Sequence, residues 1–187
     1  KPVSFHARTK IVIMLNKPLD LLTTTSDDRG RQTVLDILPA EYRGLGLYPV
    51  GRLDHDTTGL LLLTNDGNLT YRLTHPRFEL GKEYLVYIEG KLGQQERELL
   101  EKGVLLDDGI TAPAKVNEIS YDPPYNYSVT IHEGRTRQVR RMFAHHGYTV
   151  KALKRVRMGN LRLGELAEGS FRKLSAQDIA SALRQRQ

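Results

Sequence analysis

Hydrophobic and polar positions change their spacing several times along the chain, and these changes predict short strands with short helices between them. Residues 11–15 are β-branched and apolar, and residues 60–63 are four leucines in a row. The first run predicts a strand, and the second predicts a strand buried on both faces. Residues 83–89 alternate as a strand does, and residues 129–132 and 148–158 add two more candidates.

Four segments have the pattern of short helices, and two of them begin after a residue that caps helices well. The predicted helices span about residues 67–74 after Asp66, 94–102, 136–146 and 175–186 with Ser175 as the cap. In the second helix we expect Leu99 to face inward and Gly103 to end the helix. In the third, Val139, Met142 and Phe143 share one face, opposite Arg137, Arg140 and Arg141.

The remaining segments are predicted to be loops and turns. Residues 23–32 and 120–127 are polar or rich in proline and tyrosine, and residues 33–38 form a short helical turn before Pro39. The Asp107-Asp108-Gly109 sequence predicts a hairpin. Strands and short helices in this irregular order indicate an α+β protein and argue against a doubly wound parallel sheet.

Composition bounds the class of protein. The chain has 187 residues and no cysteine, which excludes a disulfide scaffold, a thiolate nucleophile and a cysteine-based zinc site. No apolar run is long enough to cross a membrane, and the start of the chain lacks the apolar core of a signal peptide, so we expect a cytoplasmic location. Residues 1–187 are predicted to form one domain, with a candidate subdomain boundary near 76–82. The first residue is Lys, so we expect the natural protein to begin upstream.

The positive charge of the chain is concentrated in one segment. The formal net charge is +6, and residues 134–163 contain nine lysines or arginines and no acid. The rest of the chain holds 19 basic and 22 acidic residues. A segregated excess of this kind predicts contact with a polyanion, whereas the alternative is a solvated basic face without a partner.

The sequence GRLDHDTTG, directly before the leucine run, contains the strongest candidate for chemistry. A carboxylate at the edge of a buried strand is held by a rigid element, as a catalytic group must be, and we select Asp54. Asp56 has the surroundings of a turn former. The alternatives are a metal-binding pair of both aspartates, or a turn in which one of them pairs with Arg52.

Two further blocks are candidates for substrate contact. Tyr84 lies in a predicted strand, where it either packs in the core or stacks on a base. The arginines of EGRTRQVRRM are either solvated, or one neutralises a buried carboxylate while others meet phosphates. His145 and His146 are expected to interact with the C-terminal end of their helix.

Five blocks in order carry a resemblance to a known family. They are NKP at 16–18, GRLDHDTTGLLLLTNDG at 51–67, GKEY at 81–84, EGRTRQVRRM at 133–142 and LKRVRMGNLRL at 153–163. Together they resemble the bacterial pseudouridine synthases, in particular the RsuA-type family that modifies ribosomal RNA. The resemblance covers nearly the whole chain. It implies a mainly antiparallel mixed sheet with short flanking helices and a cleft across the sheet.

The resemblance also implies an activity and its residues. Uridine in RNA would be isomerised to pseudouridine without a cofactor or a metal. The catalytic aspartate falls on Asp54, the active-site tyrosine on Tyr84, and the arginine that pairs with the carboxylate on Arg140. Asp54 would act as a nucleophile at the ribose or at pyrimidine C6, or as a base that promotes glycal formation. The expected partner is ribosomal RNA, with the large subunit favoured, and the expected state is a monomer.

Arg52, next to the catalytic aspartate, would contact RNA or help to extrude the base. The further residues expected to contact RNA are Lys17, Arg135, Arg137, Arg141, Lys154 and Arg155. The chain departs from the family at Asp20, where a glycine is frequent, and the N-terminal RNA-binding module of the S4 type does not occur within these residues. Two other hypotheses are an RNA-binding domain without catalysis and a metal-dependent nuclease that uses Asp54 and Asp56.

Overall fold

The leucine run forms the central strand of a large sheet. The computed structural model describes residues 8–184. Leu60 to Leu63 are at most 2% exposed, which confirms a strand buried on both faces. The strands of the described residues are β1 Val12–Lys17, β2 Tyr48–Val50, β3 Thr58–Thr64, β4 Lys82–Ile88, β5 Leu105–Leu106, β6 Gly109–Ile110, β7 Lys115–Glu118, β8 Tyr127–Ile131, β9 Val150–Met158, β10 Leu161–Arg162 and β11 Phe171–Lys173.

Nine strands form one sheet in the order β11-β1-β3-β9-β4-β8-β7, with β2 beside β3 and β10 beside β9. Only β3 and β9 run parallel among the described pairs, and they meet at Thr58 with Lys154 and at Gly59 with Arg155. Gly59 has φ +106°, and a Cβ atom there would overlap the backbone of Arg155. The mainly antiparallel mixed sheet and the α+β class are therefore confirmed.

Four helices cover the sheet in the described residues: α1 Gly67–Thr74, α2 Gln94–Lys102, α3 Gln138–His145 and α4 Ala176–Leu183. The predicted caps are confirmed, because Asp66 accepts hydrogen bonds from the first turn of α1 and Ser175 forms a capping box with Asp178. The expected inward position of Leu99 is wrong. Leu99 is 41% exposed, and its neighbour Leu100 fills the core instead.

Three other helical predictions differ in their extent. Residues 34–37 form turns without a helix, and α3 starts at residue 138 because Arg137 has φ +51° and serves as its N-cap. The last helix ends at Leu183, and residues 185 and 186 of the predicted helix lie outside the described residues. The apolar face of α3 is confirmed, since Val139, Met142 and Phe143 are buried.

The core consists of three clusters on the two faces of the sheet. One contains strands β4, β7 and β8 with α2 and α3, a second lies under α1 and α4, and a third is closed by the loops between residues 18 and 53. Strand β9 pairs with β3 and with β4, so the sheet continues through the chain segments before and after 76–82. Two subdomains remain a prediction. In residues 8–184, no helix is long and apolar enough to span a bilayer.

Candidate active site

A cavity of about 1090 Å³ opens where the three core clusters meet. Its walls come from the turn at residues 50–57, the end of α1 with residues 75–80, strands β4 and β9, and the segment 131–139 before α3. The volume is that of a pocket for a small ligand or a single nucleotide. It corresponds to the cleft expected across the sheet.

Asp54 reaches this cavity because the residue before it is anchored on the other side. Leu53 is 5% exposed and packs in the third core cluster. The Thr23 hydroxyl donates to the Leu53 carbonyl at 2.5 Å and accepts from the Leu53 amide at 3.3 Å. Asp54 therefore lies on the cavity wall, with a quarter of its side chain exposed. No feature of the sequence indicates this role of Thr23, because a polar loop residue has many possible hydrogen-bond partners.

The turn after Asp54 is held from below by Lys17. This side chain is fully buried, and its ammonium donates to the carbonyls of Pro18 at 3.0 Å, His55 at 3.5 Å and Thr57 at 2.8 Å. Burial lowers the pKa of Lys17 to about 8, against the opposing effect of the nearby carboxylates, Asp56 first. The prediction that Lys17 contacts RNA is wrong, because no atom of it reaches the surface.

Two arginines bind the acids of this turn, and we name the group the turn clamp: Asp54, Asp56, Arg137 and Arg140. Arg137 donates to both carboxylate oxygens of Asp56, at 3.0 and 2.9 Å, and its Nη1 atom lies 3.5 Å from Asp54 Oδ2. The bidentate contact lowers the pKa of Asp56 and raises that of Arg137. Asp54 itself lines the cavity.

Arg140 has a different place from the one implied by the resemblance. Its Nη2 atom donates to the Asp56 carbonyl at 2.7 Å and lies 3.6 Å from Asp56 Oδ2, while Nη1 donates to the Val150 carbonyl at 3.2 Å. Its two terminal nitrogens therefore donate to the backbone of the turn and of β9, whereas its buried Nε atom has no hydrogen-bond partner among the described residues. The ion pair with Asp54 is made by Arg137, and an ion pair of Arg52 with either aspartate is absent from the described residues.

A second pair of arginines binds the hairpin of β5 and β6, and we name this group the hairpin clamp: Arg135, Arg141 and Asp108. Arg141 donates to both oxygens of Asp108 at 3.0 and 2.9 Å. Arg135 contacts Asp108 Oδ1 at 3.2 Å and the carbonyls of Gly109 and Ile110. Both arginines were predicted to contact RNA, and in the structure an acidic loop of the same chain occupies their donors. Their contact with RNA remains a prediction.

Tyr84 and Arg52 lie in the wall of the same cavity as Asp54. Tyr84 packs against two of the core clusters at once, so its ring stands at their junction. Sequence reasoning missed Lys82, which also lines the cavity and whose pKa is lowered to about 8 by burial and by Arg155. Its position could have been predicted, because residues two apart on a strand share a face and Lys82 lies two residues before Tyr84.

Lys154 and Arg155 also differ from their prediction as surface contacts for RNA. Strand alternation places Lys154 away from the cavity, where it lies 3.5 Å from Asp122 and lines a small groove of about 220 Å³. Arg155 lines the cavity but is 3% exposed, and its Nε atom donates to the Leu60 carbonyl at 2.8 Å. Neither lies on an open basic surface.

The basic segment is therefore largely neutralised inside the folded chain. Seven of its nine cations lie within 4 Å of a carboxylate: Arg135, Arg137, Arg140, Arg141, Lys154, Arg157 and Arg162. The predicted contact of this segment with a polyanion remains a prediction. The described residues also contain no group of three His, Asp or Glu side chains arranged to hold a metal ion.

Several known proteins are similar to this chain in sequence and in fold. The family described as RNA pseudouridylate synthase matches residues 11–145. The chain is 41% identical to ribosomal large subunit pseudouridine synthase B of Bacillus subtilis over 175 residues, which cover 90% of this chain and 70% of that protein. It is also 41% identical to ribosomal large subunit pseudouridine synthase E of Vibrio parahaemolyticus, over 87% of this chain and 73% of that protein. A crystal structure of a pseudouridylate synthase superposes with a TM-score of 0.83 at 38% identity, covering 94% of this chain and 74% of the other.

Proposed function

The chain belongs to the RNA pseudouridylate synthase family, and we propose that it isomerises uridine to pseudouridine in ribosomal RNA with Asp54 as the reacting carboxylate. The observation that carries this proposal is the position of Asp54. It stands on the wall of a nucleotide-sized cavity, 3.5 Å from the Arg137 guanidinium, and Tyr84 lines the same cavity. Two relatives are named for the large subunit, which supports large-subunit RNA as the substrate.

The reaction requires a carboxylate and a closed site. The bond from ribose C1′ to uracil N1 breaks, a bond from C1′ to C5 forms, the C5 proton leaves, and N1 gains a proton. Atoms and electrons balance without an oxidant or a reductant. Asp54 attacks C1′ or C6, or removes a proton on the glycal route, and all three routes start from the same carboxylate facing the nucleotide.

The other residues hold the nucleotide while its base turns. A uridine inside structured RNA must be flipped out, at a cost of a few kcal/mol, before it enters the cavity. Tyr84 stacks on the uracil, and Arg52, at the cavity wall beside Asp54, contacts the RNA. We assign to Arg137, in place of Arg140, the role of the cation beside the reacting carboxylate, because only Arg137 lies within 4 Å of Asp54 among the described residues. We further propose a cytoplasmic monomer.

A tritium-release assay tests the role of Asp54. Ribosomal RNA labelled with 5-tritiated uridine loses its label when C5 forms the new bond. We expect Asp54→Asn to bind RNA as the parent does and to release label at least about 1000-fold more slowly. Asp28→Asn, in an exposed loop, serves as the matched control and should keep full activity.

The rival hypotheses give different results in the same experiment. An RNA-binding domain without catalysis releases no label in either form, and equal release from Asp54→Asn would remove Asp54 from its role. A metal-dependent nuclease that uses Asp54 and Asp56 would cut the strand and stop in a chelator. The proposed enzyme leaves the strand intact, and a chelator changes its rate only through the folding of the RNA.

A further inference from the structure

A cluster of rings and one guanidinium lies exposed beside the mouth of the cavity. It consists of Tyr71 on the last turn of α1, with His75, Arg77 and Phe78 in the 3₁₀ turn that follows, and we name it the aromatic platform. Tyr71 is 46% exposed, and His75 and Arg77 are exposed as well. Large exposed rings grouped in this way are typical of binding surfaces.

The members of the platform contact one another in a fixed arrangement. The centroid of Tyr71 lies 4.8 Å from that of His75 and 5.8 Å from that of Phe78, with the second pair edge to face. The guanidinium carbon of Arg77 lies 4.6 Å from the Phe78 centroid and 5.6 Å from the Tyr71 centroid. Arg77 is thus backed by rings, which hold its plane at the surface.

Backbone hydrogen bonds make this platform rigid. His75 ends α1 through its amide, which donates to the Tyr71 carbonyl at 2.9 Å, and its Nδ1 atom accepts from the Arg77 amide at 3.2 Å. Pro76 starts the 3₁₀ turn, and Glu79 closes it with φ +45°. A rigid surface loses little conformational entropy when it binds a ligand.

The platform is continuous with the cavity that holds Asp54. Thr74, His75 and Pro76 line that cavity, so the platform and the cavity share a wall. A strand whose nucleotide enters the cavity must pass over its rim. When that nucleotide leaves its stack, the adjacent bases lose a stacking partner, and an exposed aromatic or guanidinium plane replaces it.

We propose that the aromatic platform binds a nucleobase of the RNA strand next to the target uridine, stacked on the Arg77 guanidinium that Phe78 and Tyr71 support. The proposal rests on the proposed function of the cavity. Arg77 offers a flat plane with a positive charge, which suits a base together with its neighbouring phosphate. Lysine in its place keeps the charge and loses the plane.

The test compares two probes that differ only in their bases. One is an oligouridylate of about twelve nucleotides, and the other is an abasic ribose-phosphate chain of the same length. We expect Tyr71→Ala and Arg77→Lys each to weaken binding of the oligouridylate about tenfold and to leave binding of the abasic chain unchanged. Tyr121→Ala is the matched control, because Tyr121 is 69% exposed and lines the small groove, away from the cavity.

Two results would overturn the platform. One is that Arg77→Lys binds both probes as the parent does, which would reduce Arg77 to a phosphate contact. The other is that Tyr71→Ala weakens both probes equally. The tritium-release assay separates this inference from the proposed function. If the parent forms pseudouridine while the platform variants bind both probes normally, only the proposal for the platform is wrong. If the parent forms no pseudouridine but still prefers the oligouridylate through these side chains, only the proposed function is wrong.

Discussion

The turn clamp and the hairpin clamp are built from arginines of one short segment. Each reaches the cavity wall through one arginine, Arg137 or Arg135, but only the turn clamp contains a carboxylate that lines the cavity. Each contains an arginine with a bidentate contact to one aspartate, at distances between 2.9 and 3.0 Å. The two clamps differ in the position of the aspartate that the arginines bind. The acidic turn belongs to a loop anchored beneath the cavity, whereas Asp108 belongs to a hairpin whose paired Leu105 and Ile110 side chains are exposed. The part that an arginine of the basic segment plays therefore depends on the aspartate with which it pairs.

The acids of the two clamps differ in burial, with the Asp56 side chain 33% exposed, but their bidentate arginines do not follow this order, since Arg137 is 41% exposed and Arg141 is 32% exposed. Arg140 is 14% exposed and donates to two backbone carbonyls in addition to its contact with Asp56. The side chain of Asp108 is 48% exposed. An ion pair in water contributes little to stability and is screened by salt, whereas a half-buried one with backbone partners holds its geometry. We therefore expect the turn clamp to fix the site and the hairpin clamp to be replaceable.

Removing one arginine from each clamp gives the largest expected difference. Arg137→Met should lower the rate of tritium release about 100-fold, because Asp54 loses its neighbouring cation and a small misplacement of a reacting group has effects of that size. Arg141→Met should stay within about threefold of the parent, since neither Arg141 nor Asp108 lines the cavity and an exposed ion pair contributes little. Single-turnover release from labelled ribosomal RNA measures both.

Arg140→Met distinguishes the two members of the turn clamp. It removes contacts to the carbonyls of Asp56 and Val150, so it should lower the melting temperature along with the rate. Arg137→Met should lower the rate at an unchanged melting temperature. Equal losses of activity in Arg137→Met and Arg141→Met would contradict the distinction between the clamps.

The support beneath the turn provides the second prediction. Lys17→Met leaves three carbonyls without their buried donor, and we expect the free energy of unfolding to fall by about 3 kcal/mol. Urea unfolding measures this change. Lys91→Met, at a surface lysine paired with Glu118, is the control and should leave the transition where it is. An unchanged midpoint for Lys17→Met would mean that the turn does not depend on its ammonium.

The elements that could be predicted from the sequence are those that local rules determine. The leucine strand, the Asp66 and Ser175 caps and the apolar face of α3 follow from burial, capping and helical spacing. Leu99 was misplaced because it and Leu100 lie side by side, and their choice depends on how the helix rotates against the sheet. Periodicity over nine residues does not fix that rotation.

The place of Asp54 on the cavity wall was predictable, whereas the places of the nearby cations were less so. Asp54 could be identified from a carboxylate at the edge of a buried strand together with the family resemblance. Its arginine could not be identified, because Arg137 and Arg140 stand three apart and both reach the turn, which lies more than 80 residues earlier in the chain. The prediction that Lys17 contacts RNA was wrong because the side chain is buried. A lysine at the end of a strand does not indicate from the sequence which backbone carbonyls will accept its hydrogen bonds.

Neutralising Asp108 tests whether the hairpin competes with RNA for its arginines. Asp108→Asn should free Arg135 and Arg141 and tighten binding of oligouridylate about threefold at low salt. Hydrogen bonds from Arg141, and then from Arg135, lower the pKa of Asp108 to about 2. Its charged form therefore stabilises the clamp above its ordinary value of 3.8 and loses this effect only as the pH falls through about 2. The gain in affinity should be the same from pH 5 to pH 8, and a gain that varies across this range would point to another group.

Salt gives the smallest and most local difference between the clamps. Raising the ionic strength from about 0.05 to 1 M shortens the Debye length from above 10 Å to about 3 Å, which weakens exposed ion pairs most. Amide hydrogen exchange in residues 105–110 should speed up a few-fold, while exchange at the Thr57 amide, which donates to the Asp54 carbonyl at 3.0 Å, should stay unchanged. Asp108→Asn should show the faster hairpin exchange already at low salt. A hairpin that is indifferent both to salt and to this substitution would be held by contacts other than its arginines, and the two clamps would then differ in location alone.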